Sequence, residues 1–71
     1  MKEVFINTEF ITLGQFLKMQ DIVSSGGMVK YFLSENLCLV NNEKEDRRGR
    51  KLYNDYIVEI DGYGIFKIKT N

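Results

Sequence analysis

The sequence predicts an α+β fold in which two short helices pack on a small, mostly antiparallel sheet. Its apolar residues recur with a helical period in the first half of the chain and alternate along short segments in the second half. The chain has 71 residues, of which 44% are hydrophobic and 28% are charged, and this is the composition of a globular chain. We therefore expect one domain over residues 1–71.

Two helices are predicted in the first half. Thr12 and Gln15 have the spacing of a capping box, so the first helix is expected to begin there and to run to about Val23. Ser25 can serve as the N-cap of the second helix, and Asn36 suits the left-handed residue that ends a helix. On the second helix the predicted apolar face consists of Met28, Val29, Phe32 and Leu33.

The sheet is predicted mainly from the second half. Asn41 and Asn42 form a turn pair that tolerates positive φ, and Asp61-Gly62 is a strong hairpin signal. The charged residues 43–51 are expected to form a polar strand that leads into a loop. The other predicted strands are residues 4–6, 37–40, 56–60 and 63–69.

The composition argues against catalysis and metal binding. Without histidine the chain lacks the commonest general base, and a single cysteine makes a structural zinc site very improbable. We expect no catalytic site, metal, cofactor or small-molecule substrate. No apolar run approaches the roughly 20 residues that span a bilayer, and the first residues lack the pattern of a signal peptide. A cytoplasmic protein without a membrane partner is therefore expected.

Two segments are candidates for binding an anion. Four of the five residues from Arg47 to Lys51 are basic, and arginine matches the geometry of phosphate. A solvated loop balanced by nearby acids is an equally good interpretation of this segment alone. Ser25-Gly26-Gly27 opens the second helix, where free backbone N–H groups and the helix dipole favour an anion. Taken alone, an ordinary helix start is the better interpretation of the glycines.

The combination resembles the S4-type RNA-binding domain over residues 11–60, and most closely its small stand-alone YaaA-type members. Leu13 and Leu17 match the first helix of that family, and Ser25 matches its helix-opening serine. Val40-Asn41-Asn42 and Asn54-Asp55 stand where the family has Val-Asn-Gly and Gly-Asp. Thr12, Gly14 and Gly26 depart from it at an arginine, an aspartate and another arginine. The resemblance implies association with ribosomal RNA and a role in ribosome assembly.

We therefore predict a non-catalytic protein that binds structured RNA, namely ribosomal RNA or a precursor of a ribosomal subunit. The expected RNA-binding residues are Lys18, Ser25, Gly26, Gly27, Lys30, Tyr31, Ser34, Asn41, Arg47, Arg48, Arg50 and Lys51. The prediction requires the arginine-rich segment and the glycine-opened helix to face the same side of the molecule. A protein-interaction module that docks through a sheet edge is the alternative.

Overall fold

The computed structural model describes residues 1–71 and has the predicted α+β architecture. Helix α1 covers Leu13–Met19 and helix α2 covers Gly26–Glu35. The strands are β1 (Lys2–Ile6), β2 (Phe10–Thr12), β3 (Cys38–Val40), β4 (Glu43–Lys44), β5 (Lys51–Tyr53), β6 (Ile57–Ile60) and β7 (Gly64–Thr70). Five of them form a sheet in the order β1-β7-β6-β3-β4, and β2 pairs with β5 in a separate two-stranded sheet.

The main sheet is antiparallel except at one edge. Strands β6 and β7 form the predicted hairpin, with Ile60 opposite Gly64 across the turn. Strand β1 adds to β7 in parallel, with Val4 opposite Ile68. A parallel neighbour needs a long crossover, and here the chain from β1 to β7 includes both helices and the rest of the sheet.

The two helices cover one face of the main sheet. Alternate residues of β6 and β7 point inward, as expected for strands with one buried face. Phe16 of α1 meets Phe66 of β7 edge to face, with 5.2 Å between the ring centroids. The core consists of Val4, Ile6, Ile11, Leu13, Phe16, Leu17, Val23, Val29, Phe32, Leu33, Cys38, Val40, Leu52, Val58, Ile60, Phe66 and Ile68.

Helix α1 ends earlier than predicted. Its last residue is Met19 rather than a residue near Val23, because Asp21 adopts a left-handed conformation with φ of 57°. Aspartate tolerates this conformation better than most residues because its short polar side chain can bond locally. Val23 is nevertheless buried, so the turn after the helix still contributes to the core.

Two details of helix α2 also differ from the prediction. Asn36 is extended, with φ of −129°, rather than left-handed, and its side-chain amide donates to the carbonyl oxygen of Phe32 at 3.0 Å. The asparagine therefore ends the helix through its side chain. Met28 is 48% exposed although it was expected on the buried face, whereas Val29, Phe32 and Leu33 are buried.

The charged segment after the Asn41-Asn42 turn differs most from the prediction. Both asparagines have positive φ as expected, but the strand that follows has only two residues. Residues 45–50 form a loop, and Lys51 then begins β5, which pairs with β2. The loop is thereby held between the main sheet and the two-stranded sheet.

Neither helix has the length and apolar character needed to cross a membrane.

Candidate nucleic-acid interface

The loop of residues 45–50 rests on the beginning of helix α1. The first backbone N–H groups of a helix have no partner within the helix. Here Leu13 donates to the carbonyl oxygen of Arg50 at 2.8 Å, and Gly14 donates to that of Arg48 at 2.9 Å. The predicted capping box of Thr12 and Gln15 satisfies two more N–H groups. The loop and the helix start therefore fix each other.

Gly14 allows this close approach. A Cβ atom at this position would lie 3.4 Å from the carbonyl oxygen of Arg48 and 3.5 Å from Cγ1 of Val29. The space beside Gly14 is thus bounded by the loop on one side and by helix α2 on the other.

A groove of about 310 Å³ lies between the two helices and the loop, and we call it the helix groove. It is lined by Thr12, Gly14, Gln15, Lys18, Gly26, Val29, Arg48 and Gly49. Two of these residues are basic and none is acidic. The groove brings Gly26, at the opening of α2, to the same side as Arg48. This is the arrangement that the RNA-binding prediction required.

A second depression, the loop groove, continues from the first. It has a volume of about 340 Å³ and is lined by Lys30, Asp46, Arg47, Arg48 and Gly49. Arg48 and Gly49 line both grooves, so the basic side chains of the helices and of the loop belong to one surface. We call this surface the basic face and define it by Lys18, Gly26, Lys30, Arg47 and Arg48.

The start of helix α2 presents free backbone donors. Ser25 occupies the N-cap position, but its side chain makes no capping hydrogen bond. Gly26 and Gly27 donate their backbone N–H groups to no protein acceptor. Both glycines are exposed, and Cβ atoms on them would meet nothing within 4 Å.

A buried acid neutralises part of the arginine-rich segment. Glu45 is only 5% exposed, and its carboxylate accepts hydrogen bonds from Nε and Nη2 of Arg47 at 2.9 and 3.0 Å. It also accepts from Nη1 of Arg50 at 2.8 Å. The hydrogen bond from the Arg47 side chain is the main reason that the pKa of Glu45 falls to about 2, and it outweighs the opposing effect of burial. Two of the clustered arginines, Arg47 and Arg50, are therefore already paired with the carboxylate of Glu45.

Arg50 and Lys51 each lie against an aromatic ring of the protein. The Arg50 side chain is 26% exposed, and its Cζ lies 5.9 Å from the ring centroid of Tyr56. The ammonium of Lys51 lies 4.9 Å from the ring centroid of Phe10. Neither residue lines the helix groove or the loop groove. Of the segment from Arg47 to Lys51, only Arg47 and Arg48 belong to the basic face, and Gly49 lines the grooves between them.

The remaining predicted residues lie outside the two grooves. Tyr31 is 66% exposed on helix α2. The hydroxyl of Ser34 donates to the carbonyl oxygen of Tyr31 at 2.7 Å, as serine often does within a helix. The side-chain oxygen of Asn41 accepts from the backbone N–H of Ile57 at 2.9 Å and joins β3 to β6. The structure thus gives Asn41 a role in the fold.

The sequence reasoning did not find the special position of Glu45. It counted this residue only as one of three acids that balance the loop. The loop backbone gives Glu45 its place, because its N–H donates to the carbonyl oxygen of Cys38 and its carboxylate also accepts from the backbone N–H of Arg47. The only signal in the sequence is that Glu45 stands two residues before Arg47 and five before Arg50, and this pattern is common in solvated loops.

The fold and the basic face define a small α+β domain with a surface suited to a polyanion. A family model described as S4 domain matches residues 4–69, and the chain belongs to this family. The match confirms the resemblance seen in the sequence and extends it at both ends. The chain is also 58% identical over 65 residues to a protein of Bacillus subtilis (strain 168) named "Probable ribosome maturation protein RlbA", and the aligned region covers 92% of each chain.

Proposed function

We propose that this chain is a non-catalytic RNA-binding protein that acts in ribosome maturation by binding ribosomal RNA or a precursor of a ribosomal subunit. The observation that carries the proposal is the continuity of the basic face across two helices and a loop. Membership of the S4 domain family and the name of the Bacillus subtilis relative support it.

The side chains of the basic face contact phosphates. Lys18 and Arg48 bind phosphate in the helix groove, and Lys30 and Arg47 bind phosphate in the loop groove beside it. The unpaired N–H groups of Gly26 and Gly27 can donate hydrogen bonds to a further phosphate oxygen. Contacts of this kind fix the position of an RNA without reading its bases, so recognition rests mainly on RNA shape.

The other predicted residues have supporting roles in this proposal. Ser25 is exposed at the start of helix α2 and Tyr31 is exposed in its middle, and both add hydrogen bonds to the RNA. Ser34, Asn41 and Arg50 position the backbone through the contacts described above. Lys51 adds positive charge at the margin of the surface.

No group in the chain is proposed for catalysis. The thiol of Cys38 is 1% exposed, and burial, with a smaller contribution from Glu45, raises its pKa to about 11. A thiol of this kind is neither accessible nor ionised at neutral pH. A binding role in the cytoplasm, where ribosomes mature, follows from the proposal. Turnover of any RNA by the purified protein would contradict it.

Sedimentation of cell extract tests the partner. The protein is expected to migrate with a ribosomal particle or its precursor at low salt and to be released at high salt. A protein that remains at the top of the gradient under both conditions would overturn the proposal.

The salt dependence of binding tests the mode of contact. If the four basic side chains each neutralise one phosphate, the logarithm of affinity for purified ribosomal RNA should fall with the logarithm of salt concentration, with a slope of roughly −3 to −4. An affinity that does not depend on salt would be incompatible with the proposed contacts.

Charge reversal separates this proposal from a protein-interaction module. Replacing Arg47, Arg48 and Lys51 together by glutamate should abolish RNA binding, because it replaces two phosphate ligands and a nearby positive charge with repelling charges. Docking of a partner protein at the edge strand β1, which is at the far side of the sheet from the loop, would hardly change. Retained RNA affinity in the triple variant would show that the basic face is not the RNA-binding surface.

A further inference from the structure

Glu45 is the one charged residue buried with the core, and the proposed phosphate contacts do not include it. Burying a carboxylate is unfavourable unless hydrogen bonds and opposite charge compensate. Here the carboxylate accepts four hydrogen bonds, of which three come from Arg47 and one from Arg50. The same short segment supplies the acid and both arginines, so its conformation is built around this carboxylate.

The carboxylate leaves the two arginines in different states. Arg47 uses Nε and Nη2 for Glu45, yet its side chain remains 72% exposed. Its Nη1 donors are not used within the protein, and the residue lines the loop groove beside Lys30. Arg50 is instead held against the ring of Tyr56 and is largely covered. Glu45 therefore fixes the guanidinium of Arg47 with Nη1 accessible to solvent, and it holds the guanidinium of Arg50 against the protein.

We propose that Glu45 is a positioning residue for RNA, which holds Arg47 ready for a phosphate and keeps Arg48 on the basic face. This inference rests on the proposed function. A guanidinium that is already fixed loses less conformational freedom on binding than a free side chain. The effect on Arg48 follows from the loop, because the carbonyl oxygens of Arg48 and Arg50 accept hydrogen bonds from the first backbone N–H groups of helix α1.

The direction in which RNA affinity changes when Glu45 is replaced distinguishes a positioning role of this residue from an effect of net charge alone. Glu45 is negative, so its removal raises the net charge of the chain by one. If RNA responded only to charge, binding would become tighter after this change. If Glu45 positions Arg47, binding becomes weaker although the protein is more positive.

The test compares Glu45→Gln with the matched variant Glu43→Gln. Glu43 lies on β4 two residues earlier, is exposed and makes no ion pair, so its replacement removes the same charge without touching the arginines. Affinity for purified ribosomal RNA is measured by filter binding, and retention on heparin reports the response to a polyanion without a defined fold. Thermal unfolding is followed by circular dichroism, so that affinities are compared where every variant is folded.

Glu43→Gln should bind the RNA at least as tightly as the original protein, whereas Glu45→Gln should bind about 3- to 10-fold more weakly, since an ordered arginine becomes mobile. Both variants should elute from heparin at equal or higher salt. Equal RNA affinities for the two variants would overturn the inference, even if Glu45→Gln had a lower melting temperature. If the original protein itself did not bind, the proposed function would fail first and this inference with it.

Arg47→Lys provides the second measurement if Glu45→Gln does not fold. Lysine keeps the charge but cannot hold the carboxylate with one edge and present another edge to a phosphate. RNA affinity should fall about 3- to 10-fold with little change in the salt slope. An unchanged affinity would show that charge alone is needed at this position, and the inference would be wrong.

Discussion

Single residues decide how the arginine-rich loop is used. Glu45 neutralises Arg47 and Arg50 by direct ion pairs, whereas Arg48 has no acidic partner and lines both grooves. Counting charges along the sequence cannot make this distinction, because Asp46 is even nearer to Arg47 in the chain than Glu45 is. The distinction depends on which acid the backbone directs inward. Arg48 is therefore the residue of this loop best placed to meet a ligand.

The buried ion pairs should make the protein sensitive to acid. The pKa of Glu45 is about 2 in the folded protein and about 4.5 in the absence of these contacts, so its stabilising effect is present above pH 4.5 and is lost as the pH falls toward 2. The shift corresponds to at most about 3 kcal/mol, less the screening that reaches the exposed Arg47. The difference in unfolding free energy between the original protein and Glu45→Gln should shrink over this range in urea titrations. A difference that stays constant would show that the carboxylate pairs do not contribute in this way.

Gly14 should tolerate one small substitution and no large one. Alanine gains up to about 1 kcal/mol of helix propensity, and its Cβ would meet neighbours at 3.4 to 3.5 Å, so Gly14→Ala should leave stability nearly unchanged. The longer side chain of Gly14→Leu has to enter the helix groove between the Arg48 backbone and Val29, and overpacking there costs about 1–3 kcal/mol. Urea unfolding measures both. We also expect Gly14→Leu to weaken RNA binding. Equal stability of the alanine and leucine variants would contradict the close approach of Arg48 and Val29 to Gly14.

The elements with local signals are the ones that the sequence predicts well. The Thr12–Gln15 capping box, the Asn41-Asn42 turn and the hairpin around Gly62 each depend on residues a few positions apart. Strands β2 and β5 have three residues each, which is too short for an alternating pattern to be recognised. Their pairing joins residues about 40 positions apart and cannot be read from either segment alone.

The predicted site divides in the same way. Lys18, Gly26, Lys30 and Arg48 could be placed because helical periodicity and the glycine pair locate them on their elements. The separation of Arg47 and Arg48 from Arg50 could not be predicted, because it depends on the inward turn of Glu45 and on the ring of Tyr56. Both are tertiary contacts with no counterpart in the local sequence pattern.

Helix α2 should become more stable, and the protein should bind RNA more weakly, when Gly26 and Gly27 are replaced. Gly26→Ala and Gly27→Ala introduce Cβ atoms into open space and favour the helix by a few tenths to about 1 kcal/mol. The same methyl groups would stand in the way of a phosphate that approaches the backbone N–H groups. The double variant should therefore melt at a higher temperature and bind ribosomal RNA more weakly. Unchanged or tighter RNA binding would rule out contact with these backbone groups.

At the scale of the whole molecule, a chain with ten basic and ten acidic residues separates its charges in space. The basic face gathers Lys18, Lys30, Arg47 and Arg48 on the side of the helices. The basic residues of β7 are instead paired with an acid, since Lys69 lies 2.7 Å from Asp55 and Lys67 lies 3.9 Å from it. A net charge of zero is therefore compatible with binding a polyanion through one surface.

The position of a charge should matter more than the total charge. Arg48→Glu and Lys2→Glu change the net charge by the same amount, but Lys2 lies on β1, at the opposite edge of the sheet from the loop. Arg48→Glu should weaken binding to ribosomal RNA by about tenfold or more and reduce the magnitude of the salt slope by about 0.7 to 0.9, because one phosphate contact is lost. Lys2→Glu should change the affinity by no more than about twofold and leave the salt slope unchanged, since exposed charges farther apart than a Debye length are screened. Equal losses in the two variants would mean that RNA responds to the overall charge, and the basic face would then not be the binding surface.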